Sequence, residues 1–331
     1  MDTLNTLAFV TRRRFMALMG GLACMPLVPA CAIQDQPITI GLHVWPGYEP
    51  TPLARNMGWL DEKQVKLVQT GSATESLKLL EQGKIDGAGL TLDEVLRARE
   101  NGIPLSVVLV CDTSAGADQL LARPSIKTLA DIKGGRVGVE DGALGALMLY
   151  QVLQAAGLTI ADIQPVSLPV DQQIAAWQQG KIDAAITYEP AASQIMELGA
   201  NRLFDSSQVP DIIVDVLAIR STVLDHAHET AVRHLVSAHL KGLKYLNTSV
   251  DDAAYQLAPR FKLPPEKVMS TFKGLVLPDT ANNIRLLAAT RPALQASAKV
   301  IADTLLKAGI LHRPADLDGL LRPEFLPRRH T

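Results

Sequence analysis

Two nine-residue stretches, Leu80-Glu81-Gln82-Gly83-Lys84-Ile85-Asp86-Gly87-Ala88 and Trp177-Gln178-Gln179-Gly180-Lys181-Ile182-Asp183-Ala184-Ala185, nearly repeat one another. Each reads as the end of a helix, a Gln-Gly-Lys turn and the start of a strand. Glycine supplies the left-handed helix cap, and lysine complements the negative end of the helix dipole. Each copy stands at the same place in its own strand-helix series, so two similar lobes are expected.

In the first series, Ile38 to Val44 reads as a strand, Pro52 to Glu62 as a helix and Val65 to Gln69 as a strand. After Gly71-Ser72-Ala73-Thr74 come a helix through Gln82, a strand from Ile85 to Leu90, a helix from Leu92 to Asn101 and a buried strand from Leu105 to Val110. The second series places strands at Arg136 to Val139, Val166 to Leu168 and Ala184 to Thr187. Its helices run from Gly142 or Ala143 to Ala156 and from Gln172 to Gln179. This alternation predicts an α/β fold of βαβ units, with a mainly parallel sheet covered on both faces. Leu120 to Pro124 reads as an outward crossover and Ile212 to Arg220 as a return strand. The expected lobes are therefore 37–121 with 217–331, and 122–216. After Arg220 the pattern is helical, with Val232, Leu235, Val236, Leu240, Leu243 and Leu246 on one face, and a long helical region from Asn282 to Ala308 broken or bent near Pro292. A chain of 331 residues is long enough for each lobe to bury a core.

The amino-terminal 1–31 reads as an export signal. Thr11-Arg12-Arg13-Arg14-Phe15-Met16 precedes an apolar stretch from Ala17 to Val28, then Val28-Pro29-Ala30-Cys31. The apolar part is too short for a durable membrane span. The paired arginines resemble a twin-arginine leader, and Cys31 after a small residue resembles a lipoprotein cleavage site, although Pro29 departs from the usual pattern. Export to the periplasm by a twin-arginine-like or Sec signal, with a lipid on Cys31, is expected; an uncleaved anchor would give the same topology. Cys24 and Cys31 lie in this leader, and Cys111 alone belongs to the body, which excludes an internal disulfide and a cysteine metal cluster. Net charge is -2 and no basic stripe runs through the body, which excludes a general attraction to nucleic acid or to anionic lipid.

Several enzyme signatures are missing. There is no Gly-x-Ser-x-Gly elbow, no phosphate loop and no Gly-x-Gly-x-x-Gly after the first strand. His228-Glu229 and His234 miss the spacing of a zinc helix, because Val232 stands one turn after His228. His226, His228, His234 and His239 are read as surface or structural residues. No catalytic residue, metal or cofactor is assigned. A binding protein needs none of these.

Ligands of open α/β sheets sit at the carboxyl ends of the strands. Those loops offer Trp45, Tyr48 and Glu49; Ser72 and Thr74; Thr91 and Asp93; Asp112 and Ser114; Asp141, Gly142 and Ala143; Tyr188 and Glu189. Asp215, inside the apolar return strand, needs a partner if buried. Helix starts at these loops favour an anionic group, whereas the carboxylates favour an amine; a zwitterion or a polar heterocycle against Trp45 or Tyr48 suits both. Asp141 and Glu189 read equally well as helix caps.

The leader, Trp45-Pro46-Gly47-Tyr48-Glu49-Pro50, the two Gln-Gly-Lys-Ile-Asp-x-Ala copies, Thr187-Tyr188-Glu189-Pro190 and Ile213-Val214-Asp215-Val216-Leu217 together resemble the nitrate/sulfonate/taurine group of substrate-binding proteins. That group includes binders of thiamine-pyrimidine precursors. The resemblance runs from Ile38 to Ile219 and implies a type II periplasmic-binding fold whose cleft closes on a small molecule. It implies a component of an ABC importer, working with a permease and an ATPase and touching the membrane only through its amino-terminal lipid or anchor; a monomer is expected, and the residues leave a dimer open. Trp45 and Tyr48 would stack on the ligand, Ser72, Thr91 and Ser114 would hydrogen-bond it, Asp141 with Gly142 and Ala143 would form the second-lobe helix start, and Glu189 and Asp215 would recognise donors. The alternatives are a ligand-sensing domain for a membrane receptor and an enzyme like the related pyrimidine synthases. The cysteine-rich motif of those synthases has no counterpart here.

Overall fold

The computed structural model describes residues 36–140 and 144–327. The leader with Cys31, and Asp141, Gly142 and Ala143, lie outside the described residues.

The first series builds β1 (Ile38–Leu42), α1 (Pro50–Asn56), β2 (Val65–Gln69), α2 (Ala73–Glu81), β3 (Gly87–Thr91), α3 (Leu92–Glu100) and β4 (Leu105–Ser114). The second builds β5 (Gln119–Ala122), β6 (Arg136–Val139), α4 (Leu144–Ala156), β7 (Gln164–Ser167), α5 (Val170–Gln178), β8 (Ala184–Thr187), α6 (Ala191–Glu197) and β9 (Asn201–Asp205). The chain then returns through β10 (Val214–Arg220) and continues as α7 (Glu229–Thr248), α8 (Val250–Phe261), α9 (Pro265–Val268), β11 (Leu275–Val276), α10 (Thr280–Leu287) and α11 (Ala293–Lys307). The helical region expected to break or bend near Pro292 is broken there into two helices, α11 starting just after Pro292. Among the described residues no helix is long and apolar enough to cross a membrane.

The repeated motif does the same work twice. Gly83 and Gly180 both adopt φ +66° at the helix ends, and Ile85 and Ile182 both pack into the core beyond them. The Asp86 carboxylate accepts the Thr39 N–H at 2.7 Å, and that of Asp183 accepts the Arg136 N–H at 2.9 Å. Each aspartate thus ties its turn to the first residues of β1 or β6, strands that lie next to the edge of their sheets.

The strand orders are β11-β4-β10-β3-β1-β2 and β7-β6-β8-β5-β9. Contrary to the expectation of a mainly parallel sheet, both are mixed. β1 runs parallel to β2 and β3, and β6 parallel to β7 and β8, but β10 is antiparallel to β3 and β4, and β5 antiparallel to β8 and β9. The βαβ units end their strands on the side where the chain changes sheet. A crossing strand starts on that side and must run the other way. The chain changes sheets at 115–118 and 206–213, because β5 already pairs in the second sheet and β10 already pairs in the first. These points fall a few residues before the expected lobe bounds at 121/122 and 216/217. β1, β3 and β4 are buried almost throughout, as strands covered on both faces must be. α1, α7 and α8 share a separate core of Leu53, Leu243, Leu246, Leu257 and Phe261.

Candidate functional site

β1 ends at Leu42 and is followed by His43 and Val44, and a 3-10 turn at Pro46–Tyr48 leads into α1, the expected strand, turn and helix. The turn is pinned by hydrogen bonds to distant strands. Trp45 Nε1 donates to Asp112 Oδ2 at 2.9 Å, and the Tyr48 hydroxyl donates to Asp215 Oδ1. Asp215 therefore has the partner its burial demanded. Only glycine fits at position 47, where a Cβ would stand 1.5 Å from Asp112 Oδ2. Directly after β8, Tyr188 meets this turn edge-on: its ring centre lies 5.2 Å from that of Trp45 at 82°, and 6.1 Å from that of His43.

These rings enclose a cavity at the junction of the two sheets. His43, Trp45, Tyr48, Ala73, Thr91, Glu94 and Asp215 line it from the first sheet, and Glu140, Leu144, Gly145, Val170, Ile186 and Tyr188 from the second. Asp118, on the outward crossover, completes the lining. The cavity takes in about 440 Å³ of atom-free space, including some that is open to solvent. Two carboxylates bridge its two walls. Glu140 Oε1 accepts from Thr74 Oγ1 at 2.5 Å and from Thr74 N at 3.2 Å, at the start of α2; Glu94 Oε1 accepts from Leu144 N at 3.1 Å, where α4 begins. Negative charge at a helix start is favourable.

Of the residues singled out by sequence, Trp45, Tyr48, Thr91, Tyr188 and Asp215 line the cavity. The others named in the described chain do not. Glu49 is wholly buried and faces Arg260, whose Nε lies 2.8 and 2.7 Å from its two oxygens. Ser72 caps α2 by accepting from Glu75 N, and Thr74 holds Glu140. Asp112 holds Trp45, Ser114 pairs with the Ser206 hydroxyl at 2.7 Å, and Asp93 is buried at the start of α3 outside the lining. Glu189 accepts from Ser193 Oγ at 2.8 Å, the helix-cap alternative read from sequence. Sequence reasoning missed His43, Glu94, Asp118 and Glu140. Glu94 was legible as the fourth member of a Thr-x-x-Glu capping box, in which it accepts the Thr91 N–H at 2.9 Å. Glu140 follows the last residue of β6.

The lining is acidic, and among the described residues it includes neither lysine nor arginine. Burial, with Asp93 and Glu140 beside it, pushes Glu94 up to about 8. Burial pushes Asp118 up to about 7 and Asp112 up to about 8; burial and the neighbouring Asp112 and Asp118 hold Asp215 far above the ordinary carboxylate range. One oxygen each of Asp112, Asp118 and Asp215 is buried without a hydrogen-bond partner. His43 is pushed down to about 3 by burial and by Arg260. Such a pocket can hold a small molecule between aromatic rings and offer it several acceptors.

Residues 45–253 match the family model described as NMT1/THI5 like. The chain belongs to the NMT1/THI5 like family. A relative from Escherichia coli strain K12, provisionally named an aliphatic sulfonates-binding protein, is 32% identical over 145 residues, covering 43% of this chain and 45% of that protein. The match thus spans less than half of that relative's length. Among solved structures, the alkanesulfonate-binding protein SsuA from Xanthomonas axonopodis pv. citri, bound to MOPS, superposes with a TM-score of 0.73 at 19% identity, covering 85% of this chain and 96% of that one. The desulfurization enzyme DszB superposes with a TM-score of 0.61 at 18% identity, covering 87% and 97%. The fold of this NMT1/THI5 like chain is therefore the type II periplasmic-binding fold. It houses a binder and an enzyme alike, so activity must be argued from the site.

Proposed function

We propose that the protein is the periplasmic solute-binding component of an ABC importer, taking a small polar ligand of the sulfonate, taurine, nitrate or pyrimidine-like class into the cavity between its two sheets. The observation that carries this reading is the meeting of Trp45 and Tyr188, 5.2 Å apart, from the carboxyl ends of strands in different sheets. A ligand seated there touches both lobes and biases the hinge toward closure. The ligand contacts proposed are Trp45, Tyr48, Thr91, Tyr188 and Asp215, with His43, Asp118 and Glu140 added. A permease and an ATPase are the proposed partners. The protein is proposed to be a monomer, carried outward by its twin-arginine-like leader and held at the membrane by a lipid on Cys31. A binding role also needs no nucleophile or cofactor, which favours it over the enzymatic alternative.

The test is thermal unfolding with taurine, ethanesulfonate, nitrate and aminopyrimidines. A true ligand at one hundred times its dissociation constant adds about 2.7 kcal/mol of stability, and Trp45→Ala should abolish the gain. A panel in which no compound raises the unfolding temperature overturns the assignment.

A further inference from the structure

The titratable side chains lining the cavity are mostly acids, although the adjoining part of the cleft, which shares His43 and Tyr188 with it, is lined by Arg260 and Lys262. Glu94, Asp118, Glu140 and Asp215 line the cavity, and its described lining has no lysine or arginine to balance them. Arg260 is engaged by Glu49, and Arg97 stands by Asp93 outside the lining. Two of the helix starts at the cavity are filled from within, α2 by Glu140 and the first described turn of α4 by Glu94, whereas the start of α5 at Val170 has no side-chain cap. Two further features point to what is wanted. Asp118, 1% exposed, keeps one buried oxygen without a donor, a state that an incoming N–H would relieve, and Asp215, 3% exposed, lies beside the Asp112 carboxyl. The faces and edges of Trp45, Tyr48 and Tyr188 surround the same space, and aromatic faces attract organic cations.

Resting on the reading of this cavity as a solute site, we propose that the group recognised is an organic cation, a protonated amine or amidine held between these rings and the carboxyls of Asp118 and Asp215. Within the proposed ligand class, this puts the amine-bearing members ahead of simple anions such as nitrate or an alkanesulfonate; taurine enters by its ammonium end.

The proposal has a pH signature. Asp215 faces the Tyr48 hydroxyl, Asp112, Asp118, Glu94 and the Cys111 thiol, and Asp118 faces Ser114 and Asp93. Burial, and for Asp215 the neighbouring carboxyls, keep protons on this cluster near neutrality. A cation must displace protons to bind, so its affinity rises with pH.

The experiment is calorimetry and thermal unfolding of the full chain with benzylamine, benzamidine, choline and agmatine, against benzenesulfonate, ethanesulfonate, nitrate and benzyl alcohol, with taurine as the zwitterion. At least one cation should bind, with an affinity rising about tenfold or more between pH 6 and pH 9 and with protons released to the buffer. Asp215→Asn and Asp118→Asn should each weaken that cation about tenfold or more, without lowering the unfolding temperature of the empty protein. Binding of ethanesulfonate or nitrate while every cation fails overturns this inference and leaves the solute-binding reading standing. Cation binding indifferent to both substitutions overturns it too, and a panel with no binder at all overturns both.

Discussion

Glu49 and Arg260 illustrate how a residue's fate depends on a partner far away in the chain. Glu49 has no exposed surface, and its partner comes from a helix 211 positions later. Burial pushes its carboxyl up to about 7 even with the opposing pull of Arg260, so the pair survives through close geometry in a place hostile to charge. Removing one member leaves the other buried and unpaired. Arg260→Met should therefore destabilise the protein by about 3–5 kcal/mol in urea unfolding, and Glu49→Gln added to it should recover part of that loss. The same reasoning explains which site residues were legible. Trp45 and Tyr188 could be read from sequence because their strand-end position alone sends them to the cleft. Whether Glu49, Asp112 or Glu189 faces a ligand or a protein group depends on tertiary neighbours that no local pattern records. Asp215 was legible for the opposite reason: an acid within an apolar strand must find a donor, and it finds Tyr48.

At the scale of elements, the repeated turns and the helix-strand alternation were readable because they rest on local rules of capping and periodicity. Strand direction in the crossovers was not readable. β5 and β10 have the same apolar composition whichever way they run, and only the topology of the crossing reverses them. Packing between elements sets its own demands. Gly242 lets α7 lie against α1 so closely that a Cβ there would stand 1.9 Å from the Pro50 carbonyl oxygen. In an exposed helix Gly→Ala gains about 1 kcal/mol. Here the clash is with backbone that cannot rotate aside, and overpacking of about 1–3 kcal/mol or more outweighs the gain. Gly242→Ala should lower stability by about 2 kcal/mol in denaturant unfolding. Asn283 on α10 replaces a missing strand: its amide accepts from Val110 N at 2.8 Å and donates to Val110 O at 3.1 Å, on the side of β4 that β11 does not reach. Asn283→Ala leaves both backbone groups buried without partners, and a loss of about 1–3 kcal/mol is expected by the same measurement.

The molecule gathers most of the acids that burial raises around the cleft, Asp93, Glu94, Asp112, Asp118 and Asp215, and this sets how it responds to pH. Glu49 and Asp118 are held up at about 7, Glu94 and Asp112 at about 8, with burial as the largest cause in each. An acid whose pKa is higher folded than unfolded keeps its proton in the native state after the unfolded chain has lost it. Its contribution is full below the unfolded value and is lost as pH rises through the folded one. Two histidines oppose this at lower pH: His43 and His239 are pushed from 6.5 down to about 3 by burial, so stability from them grows up to about pH 6.5 and is then constant. Surface acids such as Asp162, lowered to about 2 by hydrogen bonds from Thr159, change their contribution only below about pH 4. Above pH 6.5 the buried carboxyls act unopposed by either group. The unfolding temperature of the empty protein should accordingly fall by about 5 °C or more between pH 6.5 and pH 9, read by calorimetry at constant ionic strength. Asp112→Asn should shallow that slope by removing one of the protons held. A profile that is flat or rising over this range would mean that the acids around the cleft are already ionised in the empty protein, and the proton release expected on cation binding would then be absent as well.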